Sequence, residues 1–234
     1  MPAEILEWDT AFFGFKVARV RDRALTPEAA RRIDAWCAQE GVRCVYFLCG
    51  AEDGATVRNA EDHGYRLADI RMTFRWAARN GVSGALGAVR TARPEDVPAL
   101  EAISRECYQD TRFYNDPGFP RDRVVALYET WIRRSVEGWA DAVLVAEDQR
   151  GPAGYVTCHG PDRRIGLVGV GAEARGAGVG RTLVGRALEW FAARGAAEVV
   201  VPTQGRNYAA QRLYQRCGFA IHSVELWLHK WRLL

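Results

Sequence analysis

Ile165-Gly166-Leu167-Val168-Gly169-Val170-Gly171-Ala172-Glu173-Ala174-Arg175-Gly176-Ala177-Gly178-Val179-Gly180-Arg181 reads as an apolar strand that enters a glycine-dense loop and then passes straight into a helix. The helix is marked by Leu183, Val184, Ala187, Leu188 and Phe191, which share one face at the 3.6-residue period. Glycine lets successive backbone N–H groups converge with no Cβ in the way, and a helix start adds unpaired donors and the positive end of the dipole. Together these make an anion cradle, most naturally for a pyrophosphate. The same glycines also suit a plain tight turn, and G-x-G-x-x-G patterns alone are weak. A Rossmann site needs an acidic residue at the end of the next strand, and Glu198-Val199-Val200-Val201-Pro202-Thr203-Gln204 ends without one. A Walker A loop needs Gly-Lys-Ser/Thr, which does not follow here.

Outward from this segment, the pattern predicts a strand at 88–91, a helix opened by Pro94, an aromatic loop from Tyr108 to Pro117 and a helix at 121–137. Strands follow at 142–147 and 154–159 around a turn at Arg150-Gly151-Pro152, and then strand 164–170. Beyond the loop come helix 179–194, strand 198–203, helix 207–217 and strand 219–230. Nearer the start, Thr26 caps a helix with Pro27 at its first position and a stop at Gly41. Strand 43–49, a helix over 54–63 and a long strand from Tyr65 to Trp76 complete that part. Helices alternating with strands give an α/β or α+β fold, a mixed sheet flanked by helices. Arg79-Asn80-Gly81-Val82-Ser83-Gly84-Ala85-Leu86-Gly87 reads as a linker, so the expected division is 1–78, 79–87 and 88–234.

Sliding the first part against the second by 154 positions aligns Trp36 with Trp190, Ala38 with Ala192, Gly41 with Gly195, Val45 with Val199, Arg58 with Arg212 and Gly64 with Gly218, without a gap. Duplication accounts for this, and so do two unrelated helix-strand runs with similar caps. In a duplication the first copy keeps the scaffold and lacks the site: the glycine loop maps onto Arg21-Asp22-Arg23-Ala24-Leu25-Thr26, and Tyr214 maps onto Ala60.

The 234 residues are 48% hydrophobic and 26% charged, which excludes disorder and a disulfide-stapled miniprotein. The net charge of +3 makes neither nucleic acid nor a membrane surface the default partner. Lys16 and Lys230 are the only lysines, so arginine carries the positive charge. Six cysteines without a C-x-x-C pair read as reduced core residues, and four scattered histidines support no metal site. No basic n-region with an apolar h-region opens the chain and no apolar run nears a membrane span, so the expectation is a cytoplasmic protein.

Arg175-Gly176-Ala177-Gly178-Val179-Gly180 after a strand resembles the Q/R-x-x-G-x-G/A acyl-CoA motif of the GNAT N-acetyltransferase superfamily. Asn207-Tyr208-Ala209-Ala210-Gln211-Arg212-Leu213-Tyr214-Gln215-Arg216-Cys217-Gly218-Phe219 resembles its N-x-x-A-x-x-x-Y-x-x-x-G-F segment. The likeness covers residues 88–234. Leu6-Glu7-Trp8-Asp9-Thr10-Ala11-Phe12-Phe13-Gly14-Phe15, the half-repeat and Val201-Pro202-Thr203-Gln204 further resemble the TDP-fucosamine acetyltransferase group. That resemblance implies a GNAT fold preceded by a truncated GNAT-like half domain. The implied reaction is acetyl-CoA-dependent acetylation of a small-molecule amine on a nucleotide-linked deoxyaminosugar. It implies that Val168, Gly169 and Val170 border the pantetheine arm. Arg175, Gly176, Ala177, Gly178, Val179 and Gly180 would hold the pyrophosphate, and Asn207 would reach the cofactor.

Tyr214 shares a helix face with Ala210, Leu213 and Cys217, so spacing alone reads it as a packed tyrosine; the resemblance implies the general acid that protonates the departing thiolate. No acid lies in strand 164–170, so deprotonation is left to ordered water or to His159, Asp110 or Asp116, or the amine binds already neutral; each of these three residues also reads as a turn or hydrogen-bonding residue. In the superfamily the acceptor pocket is lined by the segment that here holds Tyr108, Arg112, Phe113, Tyr114, Phe119, Arg121 and Arg123. Rings and guanidinium groups suit a nucleotide sugar, and they equally suit a loop packed on its own domain. Trp8, Phe12 and Phe13 either close that pocket or anchor the two halves. The acceptor is also open to an aminoglycoside, a polyamine or an amino acid, or the chain is a non-catalytic acyl-CoA-binding module. A homodimer is one arrangement the sequence allows.

Overall fold

The computed structural model describes residues 2–78, 81 and 88–232. The first half forms β1 (Ala3–Ile5), α1 (Glu7–Phe13), β2 (Val17–Val20), α2 (Pro27–Glu40), β3 (Cys44–Gly50), α3 (Gly54–Asp62) and β4 (Arg66–Ala77). The second opens with β5 (Val89–Thr91), α4 (Val97–Cys107), α5 (Arg112–Asn115), α6 (Arg121–Arg134), β6 (Ala142–Asp148) and β7 (Gly151–His159). It continues with β8 (Arg164–Val170), α7 (Val179–Ala192), β9 (Glu198–Gln204), α8 (Tyr208–Arg216) and β10 (Ala220–Trp231). Local chemistry sets the boundaries. Thr26 caps α2, its hydroxyl accepting from the Ala29 amide at 3.2 Å, and Pro27 sits where its missing N–H costs nothing.

The described strands form one sheet in the order β1-β2-β3-β10-β4-β9-β8-β7-β6-β5. Each half lends its last strand to the other: β10 lies between β3 and β4, and β4 between β10 and β9. The linker expected at 79–87 lies outside the described residues, apart from Gly81. Cys44–Gly50 and Glu198–Gln204 stand 154 positions apart, as do Gly54–Asp62 and Tyr208–Arg216, and Arg66–Ala77 and Ala220–Trp231. Arg71 and Glu225 are counterparts at that spacing and face each other across β4 and β10, so a local two-fold axis passes between them. Ala60, the counterpart of Tyr214, is fully buried in the core of the first half.

Strand alternation separates the layers. On β6, Leu144 and Ala146 pack with Leu183 and Leu188 of α7, while Val143 and Val145 face Leu100 of α4 and Ile132 of α6. On β3, Val45 and Phe47 meet Ile33 of α2, and Cys44 and Tyr46 join an aromatic cluster. Phe13 of α1 reaches that cluster, with ring centroids 4.7 Å from Phe119 and 5.8 Å from Phe113, so α1 anchors the halves to each other. All six cysteines are free thiols.

Three local expectations change. The aromatic loop contains the single helical turn α5. The helix expected to 137 ends as an α-helix at Arg134 and widens into a π-type turn over Ser135–Trp139, because Gly138 takes φ of 110°. β7 begins at Gly151, so the turn before it is tighter than the proline had indicated.

Candidate active site

β8 and β9 are parallel neighbours that pair at Arg164 and Val200 and then diverge. The Gly171 amide donates to Ala153 O at 3.0 Å and the Leu167 amide to Thr157 Oγ1 at 2.8 Å, so beyond the register shift beside Thr157 the residues Leu167, Gly169 and Gly171 turn their peptide groups towards β7. Alternation turns those of Val168 and Val170 into the gap. Val170 O already accepts from Arg175 Nε at 3.1 Å and Cys107 Sγ at 3.4 Å. Gly169, expected beside them, faces β7 instead; a Cβ there would lie 2.7 Å from the Tyr155 ring.

At the far end of β8 the glycine loop turns back through Gly176 and Gly178, with φ of 83° and 86°. Such angles cost an L side chain about 1–2 kcal/mol. Among the described residues no backbone acceptor meets the amides of Gly176, Ala177, Gly178, Val179 and Gly180. Gly178 caps α7 with no side-chain acceptor, so the donors of the helix start remain available. The Arg175 amide departs from the expected set, since it donates to Ala172 O at 3.3 Å. Asn207 caps α8, its side chain accepting from the Ala210 amide at 3.0 Å, and borders the same space. Free amides, small residues and an open strand edge fit the pyrophosphate and amide-rich arm of acetyl-CoA.

Loop, gap and acceptor loop line one cleft of about 1150 Å³. Tyr214 lies in it, 4% exposed, with its ring 5.9 Å from Phe74 and 5.8 Å from Phe219. Among the described residues no protein group hydrogen-bonds its hydroxyl. Burial pushes the phenol well above its ordinary range, so it keeps its proton near neutrality.

Asp69, on β4 of the first half, lines the same cleft and is 4% exposed. Its Oδ1 accepts from the Ile70 amide at 2.8 Å and lies 3.9 Å from Arg206 Nε. Burial raises its carboxyl to about 6, against the pull of the Ile70 amide and of Arg206 and Arg112. Such a carboxylate is ionised at neutrality and basic enough to take a proton. The sequence reading missed Asp69; the available signal was an acid interrupting the apolar run of strand 65–76.

The acceptor-side residues divide. Arg112 lines the cleft inside an aromatic cage, 4.2 Å over Tyr46 and Phe113 and 4.3 Å over Trp227. Its Nη1 lies 2.6 Å from His229 Nε2, and His229 Nδ1 lies 2.5 Å from Asp116 Oδ2. Burial holds His229 down at about 4, so the imidazole is neutral: Nδ1–H donates to Asp116 and Nε2 accepts from Arg112. Asp116 also accepts from Trp231 Nε1 at 2.8 Å and from the Gly118 amide at 2.9 Å and does not line the cleft, so it is a bracing residue. Tyr108 lines the cleft, stacks on Tyr128 at 4.6 Å and accepts from Tyr155 Oη at 3.1 Å. Asp110 borders the cleft as an exposed residue. His159 lines its far end, held below its usual range by burial and the Arg164 cation. Tyr114 is not among the lining residues; its ring lies under Arg121, at 4.6 Å, because α5 turns it outwards. Among the described residues no cluster of three or more His, Cys, Asp or Glu could hold a metal ion, and no helix is long and apolar enough to cross a membrane.

Comparison with known proteins gives the class. Residues 97–219 match the acetyltransferase (GNAT) family, and the chain belongs to it: the protein is an acetyltransferase of the GNAT type. Over 97% of its length it is 30% identical to a dTDP-fucosamine acetyltransferase of Escherichia coli O6:H1, covering 97% of that protein. Over 201 residues it is 37% identical to a mycothiol acetyltransferase of Thermobispora bispora, which spans 74% of this chain and 68% of that one. A GCN5-related N-acetyltransferase from Sphaerobacter thermophilus superposes with a TM-score of 0.69 at 19% identity, over 98% of this chain and 76% of that chain.

Proposed function

We propose that the chain transfers the acetyl group of acetyl-CoA to the amine of a nucleotide-linked deoxyaminosugar, by direct attack in a ternary complex. The observation that carries this reading is that a protonated phenol, Tyr214, and a carboxylate titrating at about 6, Asp69, border one cleft beside the open edge of β8. The likeness to a dTDP-fucosamine acetyltransferase along nearly the whole chain supports the acceptor class. In this reading the amides of Gly176 to Gly180 hold the pyrophosphate, and the peptide group of Val168 with the Val170 amide holds the arm, the Val170 carbonyl being taken by Arg175 and Cys107. Asp69 takes a proton from the acceptor ammonium, the free amine then forms the C–N bond at the thioester carbonyl, and the nitrogen sheds its second proton as the tetrahedral adduct collapses. As the C–S bond breaks, Tyr214 gives its proton to the sulfur, and general acid–base help of this kind contributes about 10²–10⁴-fold. A cytoplasmic setting, where acetyl-CoA is at hand, goes with it.

The test is purified protein with acetyl-CoA and a panel of amines: TDP- and UDP-aminosugars, an aminoglycoside, a polyamine and an amino acid. Thiol release and the mass gain of one acetyl group on a nucleotide-linked aminosugar are expected. Acetylation confined to amines without a nucleotide would overturn the acceptor assignment. It would favour the second reading, another small amine, which the likeness to a mycothiol acetyltransferase supports.

A further inference from the structure

The end of the cleft away from the glycine loop holds two features that acetyl transfer does not use. Trp139 lines the cleft and is 57% exposed, although a large aromatic ring gains by burial. It projects from the π-type turn made by Gly138, with its ring 6.3 Å edge-on to His159 and 6.4 Å from Trp131. His159 itself lies against β8, where a Cβ at Gly166 would come within 2.6 Å of its Nε2.

The second feature is a group of guanidiniums. Arg71 lines the cleft, and its Nε is buried without a hydrogen bond, 3.5 Å from Glu225 Oε2. Glu225 also accepts from Arg23, so its negative charge is shared. Arg164 lines the cleft as well, and among the described residues its one ion pair is with the exposed Asp162, at 3.7 Å. Burial, with the Arg23, Arg164 and Arg112 cations pressing on it, pushes Arg71 below its usual range. An anion among these groups would relieve that repulsion. Arg164 and Val170 begin and end β8, about 20 Å apart at a rise of roughly 3.3 Å per residue, so this seat is separate from the glycine-loop cradle.

We propose that this end of the cleft is a nucleoside diphosphate subsite, with a nucleobase stacked on Trp139 and phosphates between Arg164 and Arg71. The inference rests on the acceptor assignment above and adds to it the groups that read the nucleotide. The amine then lies between two anionic anchors, the acceptor's diphosphate at one end and the CoA pyrophosphate at the other.

Calorimetry with thymidine diphosphate, uridine diphosphate and CoA tests this on the full chain. The wild type is expected to bind the nucleoside diphosphates. Trp139→Ala and Arg164→Gln should each weaken that binding about tenfold or more, in line with the worth of one base stack or one charge-assisted phosphate contact, and leave CoA affinity alone. The KM for a nucleotide-linked aminosugar should rise in parallel. Trp139 is exposed and Arg164 partly so, and an unchanged thermal melt verifies that the variants fold. Unaltered thymidine diphosphate affinity in both variants, in an enzyme that still acetylates nucleotide-linked aminosugars, would overturn the subsite and leave the function standing. Failure of the wild type both to bind either nucleoside diphosphate and to acetylate any nucleotide-linked amine would overturn the acceptor assignment and the subsite with it.

Discussion

Burial keeps Tyr214 protonated and makes Asp69 reluctant to ionise, because a charge taken out of water loses its hydration in both cases. Tyr214→Phe should lower kcat by about 10²-fold or more while leaving CoA affinity intact, as expected for loss of a general acid. An undiminished kcat would remove Tyr214 from the chemistry. For Asp69 the active form is the carboxylate, so kcat should fall with decreasing pH through about 6, and that limb should vanish from the residual activity of Asp69→Asn. The same shift affects stability. The native state holds the Asp69 proton more tightly than the unfolded chain does, so stability is lost as pH rises from the ordinary 3.8 through about 6. Asp69→Asn should therefore be more stable than the wild type at pH 8, by up to about 3 kcal/mol. The gain should disappear in strong acid. Equal urea midpoints for the two proteins at pH 8 would contradict it. Tyr214 was legible because it falls inside a spaced motif on one helix; Asp69 was not, because the residues that give it meaning are far away in the chain.

The glycine loop and α1 are the two elements whose roles turn on backbone and ring geometry. Gly178 has φ of 86° and open space where a Cβ would go, so a side chain there strains the turn and fills the cradle without striking the core. Gly178→Val should abolish acetyl-CoA binding in calorimetry while the circular dichroism spectrum stays native; unchanged affinity would end the cradle assignment. α1 carries Phe13, which is 4% exposed among Phe113 and Phe119. Phe13→Ala should destabilise the protein by about 3–5 kcal/mol through the cavity it leaves, measured by chemical unfolding. A near-neutral effect would mean that α1 does not tie the halves together. The helices and strands of both halves were readable from caps and period. The turn at Ser135–Trp139 was not, since a pattern continued across a glycine gives no sign that the backbone has left α geometry.

Across the whole molecule the halves are interlocked, with β4 and β10 exchanged about the Arg71 and Glu225 pair. Residues 88–234 alone would leave β9 and β10 without β4 and β3, exposing strand edges and removing Asp69. That fragment should fail to melt cooperatively, and adding residues 1–78 should restore both the transition and the activity. A cooperative melt of the fragment by itself would show that the exchange is dispensable. The amino-acid sequence by itself determined the elements, the offset of 154, the glycine-dense turn and the helix that carries Tyr214, because each depends on neighbours within about one turn or one loop. Only the tertiary structure decided which strands lie side by side, and with them the shared cleft of Asp69 and Tyr214, the bracing of Arg112 by His229 and Asp116, and the exposed Trp139 at the cleft end. Those relations join residues up to 145 positions apart through burial and sheet order, and no local period records either.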